Sequence, residues 1–249
     1  MKKWLLAVIP VLVVVLGAWF VVPAPLKRDA PRQLPWVLPD YRQASVHWYV
    51  DDYGRIRNEV EHLFLRDISP QMVAWFYRQL PISTIDYAGT RYPLYHIFHP
   101  TEHGRIRVLD PAENGVAGMG RGAMIMREEW FGPYDSRGRA RLRSFSDQGM
   151  LAVPQFAGLD MGRVEHHWQA EAGGTRYRVD AIIGVDWPLL GPLVNLAIRT
   201  WVFHPQFMAQ WQRHQVEEVG SLQFFLPALY AQRDRGNHFQ LEAEGGVRR

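Results

Sequence analysis

Cysteine is absent from the 249 residues, which excludes disulfide frameworks, thiolate-bound zinc and thiol nucleophiles together. A strong excess of either charge is missing too: 28 Lys and Arg face 25 Asp and Glu, for a net charge of +3. The basic residues are not interleaved with aromatics, so nucleic acid is not an expected partner. No HExxH, GxSxG or phosphate-loop motif occurs, and the Gly-Met-Gly-Arg-Gly run at 118–122 lacks the context of a dinucleotide fingerprint. Internal repeats and long low-complexity tracts are also absent. What remains is a chain 47% hydrophobic and 13% aromatic, enough for one domain with a large core or a pocket for an aromatic or lipidic ligand.

Compartment is read at the N-terminus. Lys2 and Lys3 precede residues 4–22, an uncharged apolar run. The run is long enough to span a bilayer, and Val22-Pro23-Ala24-Pro25 is a poor cleavage site. The expectation is an uncleaved transmembrane anchor over 1–22. The short basic leader stays inside under the positive-inside rule. The globular part then lies outside the inner (cytoplasmic) membrane, in the periplasm of a double-membraned bacterium. Prolines at 23, 25, 31, 35 and 39 make residues 23–40 a stiff extended tether rather than core, and the domain is expected over 41–249.

Within that domain, Ser69-Pro70 supplies an N-cap and a first-turn proline for a helix to about Leu80. Period-2 alternation predicts strands over 92–99, 105–109 and 123–130. Residues 164–170 and 175–183 flank Gly173-Gly174 as a hairpin. Helical periodicity returns over 189–203 and 206–225. Helices, then an antiparallel sheet, then long helices imply an α+β fold, with the last helix laid across a curved sheet.

The most informative stretch is 211–227, WQRHQVEEVGSLQFFLP. At about 3.6 residues per turn, Phe207, Trp211, His214, Glu218, Leu222 and Phe225 share one stripe, while Gln210, Arg213 and Glu217 point away. A carboxylate among apolar neighbours needs a cation, a hydrogen-bond network or a proton. His214 and Glu218 stand one turn apart and can converge on one metal ion. Elsewhere, Tyr95, Ile97 and His99 fall on one face of the 92–99 strand and His96 on the other, with His103 in a turn beyond. Glu128 and Glu129 are neighbours on opposite faces of an apolar strand, so one of them must point inward. His166-His167 reads as structural, and His204 as a cap or turn residue.

His99-Pro100-x-x-His103, Glu128-Glu129 and His214-x-x-x-Glu218-Val-Gly, followed by Phe225-Leu226-Pro227, resemble the 2,4-diacetylphloroglucinol hydrolase family, which includes phloretin hydrolases. The likeness extends over most of 41–232, and HQVEEVGSLQFFLP is its most specific part. It implies a helix-grip fold of START/Bet v 1 type and a zinc-dependent hydrolase cleaving the carbon–carbon bond between an acyl group and a phenolic ring. It further implies an ion held by two histidines and two glutamates. His214 and Glu218 match directly; the first histidine is His99 or His103 and the first glutamate Glu128 or Glu129, with His99 and Glu128 favoured. Tyr92, Tyr95, His96 and His103 are then candidates for proton transfer or substrate positioning. The competing expectation is a membrane-anchored, non-catalytic module binding a hydrophobic lipid or polyketide, against which the inward His214 and Glu218 argue.

Overall fold

The computed structural model describes residues 25–242. The expected anchor at 1–22 lies outside them, and among the described residues no helix is long and apolar enough to cross a membrane. The strands, in chain order, begin with β1 (Ser45–Val50), β2 (Ile56–Glu61) and the two-residue β3 (Leu65–Arg66). After helix α1 (Pro70–Gln79) come β4 (Thr84–Tyr87), β5 (Thr90–Pro93) and the short helix α2 (Leu94–Phe98). The central strands are β6 (His103–Asp110), β7 (Met124–Phe131), β8 (Tyr134–Ser146) and β9 (Gly149–Phe156). Then follow the two-residue β10 (Leu159–Asp160), β11 (Gly162–Glu171) and β12 (Gly174–Ile183). Helices α3 (Gly191–Ala197) and α4 (Pro205–Tyr230) precede the closing strand β13 (His238–Leu241).

The principal sheet runs β1-β2-β12-β11-β9-β8-β7-β6, all antiparallel, with β3 added to β12 and β10 to β9. Register shifts between β6 and β7 and between β8 and β9 mark bulges, which bend strands and increase their twist. A small second sheet, β13-β4-β5, covers one end. The α+β expectation therefore holds: a curved antiparallel sheet is crossed by a long C-terminal helix.

Local chemistry accounts for the elements. Ser69 caps α1 by accepting a hydrogen bond from the Met72 amide at 3.3 Å, and Pro70 occupies the first turn, where no donor is lost. The β11–β12 hairpin turns at Gly173, whose φ of 84° suits a residue without Cβ. Helix α4, 26 residues and so about 39 Å long at 1.5 Å per residue, buries Val216, Val219, Leu222 and Phe225. They meet Val60, Ile125, Trp168, Tyr177 and Val179 of the sheet in the main core. A second cluster, Ile56, Phe131, Ala181, Ile183, Phe207, Met208 and Trp211, fills the other end of the helix–sheet interface. His214 and Glu218 lie on the helix between these two apolar regions.

Three expectations are corrected. Residues 25–40 have no helix or strand, as their prolines require, but they are not a free tether. Trp36 is buried against Tyr87, Phe224 and Phe225, and Pro39 packs over Gly220 of α4. Burying an indole outweighs leaving it in water, so the segment is a strap on the domain and the core begins before Tyr41. Residues 92–99 do not form one strand: β5 ends at Pro93 and Leu94–Phe98 is helical. Leu94, Tyr95, Ile97 and Phe98 are all buried, a spacing that fits a helical turn as well as a strand. Finally, the 189–203 helix is α3 followed by a wider π-type turn at Ile198–Val202.

Candidate metal centre

His103 is not in a turn but opens β6, paired with Glu129 of β7. Its Nδ1 lies 2.8 Å from the Tyr95 carbonyl. A carbonyl only accepts, so Nδ1 carries the hydrogen and the Nε2 lone pair faces inward. His214 on α4 is held the same way: its Nδ1 donates to Glu102 Oε2 at 2.8 Å. The two Nε2 atoms are 3.2 Å apart. Burial, with the His99 ring nearby, holds both imidazoles well below 6.5, so both are neutral. Two lone pairs then face each other with no hydrogen between them.

Two carboxylates join this pair. Glu218 Oε2 is 3.3 Å from His103 Nε2 and 3.7 Å from His214 Nε2; Glu129 Oε1 is 3.8 Å from His103 Nε2. Four donors about 2.0–2.1 Å from a tetrahedral zinc would be separated by about 3.3–3.4 Å. The observed spacings bracket that value. Burial, with Glu129 and Glu102 nearby, raises Glu218 well above its ordinary 4.5 against the opposing pull of Arg127. Two neutral imidazoles and two carboxylates fit a divalent ion in both softness and charge. Glu129 is steadied by the Tyr95 hydroxyl and the Arg127 guanidinium. Of the four donors, only the Glu218 side chain retains appreciable exposure, at 15%.

Glu128, favoured as a ligand from the sequence, turns the other way and pairs with Arg137 at 3.0 Å. Successive residues of β7 alternate, and Ile125, Arg127, Glu129 and Phe131 share the inward face. His99 does not join the four donors. Its ring stacks on His214 at 4.4 Å and 6°, and its Nε2 reaches Glu217 at 3.1 Å. Glu217 and Arg213 do not simply point away either: Arg213 bridges Glu217 and Glu102, while Glu102 also accepts the Gly132 amide at 2.8 Å. His99, Glu102 and His214 are close enough to suggest another ion site. His214 Nδ1 carries a hydrogen, however, and Arg213 already neutralises the acids, so this group is instead a brace behind His214.

Of the proposed proton donors, Tyr95 lies beside the centre and bonds Glu129. His96 points elsewhere and donates to the Gly104 carbonyl at 2.7 Å. Tyr92 sits on β5 opposite Ile85, near Arg32 of the strap, and is not part of the cluster. Reading the sequence missed Glu102, Arg127, Arg213 and a polar chain between α1 and the sheet. In that chain the Tyr77 and Tyr177 hydroxyls are 2.6 Å apart, and His166 Nδ1 is 2.7 Å from the Tyr177 hydroxyl. Burial raises both phenols well above 10, and each feels the charge of Glu218. The only sequence signal for Glu102 and Arg213 was position: each immediately precedes a histidine of the centre.

No family model matches the chain, and no curated protein matches it. Among solved structures, a START superfamily protein from Mycobacterium smegmatis is 12% identical, with 70% of this chain and 98% of that one covered and a TM-score of 0.41. Protein Ms6760 from the same organism is 10% identical over 69% of this chain and 95% of that one, at 0.42. Ara h 8.0201 is 11% identical over 74% and 99%, at 0.41.

Proposed function

We propose that this chain is a zinc-dependent hydrolase on a helix-grip scaffold of START/Bet v 1 type, related to the 2,4-diacetylphloroglucinol hydrolases. It would cleave the carbon–carbon bond beside the carbonyl of a hydrophobic phenolic ketone. One observation carries the reading: the Nε2 atoms of His103 and His214 meet at 3.2 Å with both Nδ1 hydrogens already committed elsewhere, and two carboxylates converge on the same point. His103, Glu129, His214 and Glu218 would hold the ion. When bound, zinc polarises a carbonyl and lowers the pKa of water.

The remaining chemistry falls to the side chains. Hydrolysis adds the hydroxyl of water to the acyl carbon and a proton to the ring carbon, which keeps the electron pair of the broken bond. Tyr95 retains its proton far above neutral pH and, beside the centre, would exchange its bond to Glu129 for one to a carbonyl or ring oxygen of the substrate; Tyr77 and Tyr177 are buried and bonded to each other behind it. Glu102 and Arg213 orient His214, and Arg127 offsets the charge of Glu129. The apolar run at 4–22 would tether the enzyme to the inner membrane with this domain in the periplasm.

The test is purification of the full chain without a His-tag, elemental analysis, and incubation with mono- and diacetylphloroglucinol while acetate is measured. Acetate release by a protein with one zinc per chain is expected. Loss of both in His214→Ala and Glu218→Ala, exceeding the roughly 10- to 100-fold that removal of a partner behind a ligand costs, completes the result. A metal-free protein retaining a lipid through purification would instead favour the hydrophobic-ligand module.

A further inference from the structure

The outer face of the sheet, opposite α4, carries a concentration of arginine that the near-neutral composition conceals. Register places three rungs across β6, β7 and β8: Arg105–Glu128–Arg137, Arg107–Met126–Arg139 and Asp110–Met124–Arg141. Directly opposed residues share a face, so five arginines stand together against two acids. Glu128 pairs with Arg137 and Asp110 with Arg141. Arg105, Arg107 and Arg139 are exposed and have no acidic partner among the described residues. Met124 and Met126 are buried at 8% and 7%, and the flanking arginines on the same rungs are placed to cover them with their stems. Trp130, the aromatic on this side of β7, is buried beneath Arg28 and offers no platform of the kind that stacks nucleobases.

The strap enters at this same edge. The Leu26 amide bonds Asp135 Oδ2 at 2.8 Å, and Arg28 bonds Asp135 together with the carbonyls of Gly132 and Pro133. Gly132 and Pro133 form the turn joining β7 to β8, the strands that carry most of the rungs, and Asp135 lies at the start of β8. Lys27 beside them is exposed. Three residues separate Leu26 from Val22, the end of the apolar run, and an extended chain covers at most about 14 Å over those four steps.

We propose that the β6–β8 face is a docking surface for anionic phospholipid headgroups and lays the domain against the bilayer that residues 4–22 enter. This rests on reading 4–22 as a membrane anchor. The occupant follows from charge and attachment: phosphates attract arginine forks, and the strap is fixed beside the β7–β8 turn, so the short link to residue 22 tethers this face near the bilayer surface.

The absence of native cysteine allows a direct test. The full chain carrying Gln155→Cys, opposite Arg139 on β9, is fluorescently labelled and reconstituted into nanodiscs containing nitroxide-headgroup lipid. Discs of phosphatidylcholine alone are compared with discs containing phosphatidylglycerol. Quenching should be roughly threefold or more greater in the anionic discs, and should fall to the neutral level in about 0.5 M salt. It should also be lost when Arg105, Arg107 and Arg139 are all changed to Gln. A label at Gln223→Cys, an exposed position of α4, should respond little in either disc. Equal quenching in both discs, or quenching indifferent to the triple change, overturns the docking surface while leaving the anchor intact. A chain that stays free of both discs overturns the two together. Loss of quenching on adding a duplex oligonucleotide would assign the face to nucleic acid instead.

Discussion

Glu128 and Glu129 show how one residue's orientation decides the chemistry. Both sets of alternate positions on β7 are largely apolar, since Met124, Met126 and Trp130 on one side match Ile125 and Phe131 on the other. Hydrophobic alternation therefore carried no information on which acid faces inward. Glu129→Ala should remove bound zinc, whereas Glu128→Ala should leave zinc content within the error of elemental analysis, because its carboxylate meets only Arg137 outside. His62 is the residue-scale liability: it is buried, and neither ring nitrogen has a partner among the described residues. Burial, with His166 nearby, pushes its pKa from 6.5 down to about 3. A depressed base means that the unfolded chain takes up the proton first. Stability is thus full above pH 6.5 and falls by up to about 1.4 kcal/mol per pH unit between 6.5 and 3. His62→Leu should narrow the difference in melting temperature between pH 7 and pH 5; an unchanged difference would contradict the assignment.

At the scale of elements, the long periodic segments were legible and the short ones were not. Helix α1 was announced by its cap and proline, the β11–β12 hairpin by paired glycines, and α4 by its stripe, so His214 and Glu218 were located in advance. Helix α2 has five residues, too few to separate a period of 3.6 from one of 2, and that ambiguity moved Tyr95, His99 and His103 to the wrong places. The strap was misread because proline content reports stiffness but not docking. Its seat on α4 is testable at Gly220, where a Cβ would overlap the Pro39 ring. Gly220→Ala should lower stability by about 1–3 kcal/mol, despite the better helix propensity of alanine, as read by denaturant unfolding. Adding Pro39→Gly should recover part of that loss.

For the whole molecule, a dication between α4 and the sheet would join the two layers and offset the charge of Glu218. A ligand that binds only the folded state stabilises it by about 2.7 kcal/mol at a hundred times its dissociation constant. Chelation should therefore lower the melting temperature by roughly 5–10 °C for a domain of this size, and His103→Ala should abolish the difference between metal-loaded and chelated protein. The most direct test is an anomalous difference map of the purified protein at the zinc edge. It should hold one peak between His103 Nε2 and His214 Nε2, about 2.0–2.2 Å from both and from carboxylate oxygens of Glu129 and Glu218. A map without a peak there from zinc-replete protein, or with the peak on His99 and Glu217 instead, would contradict the account.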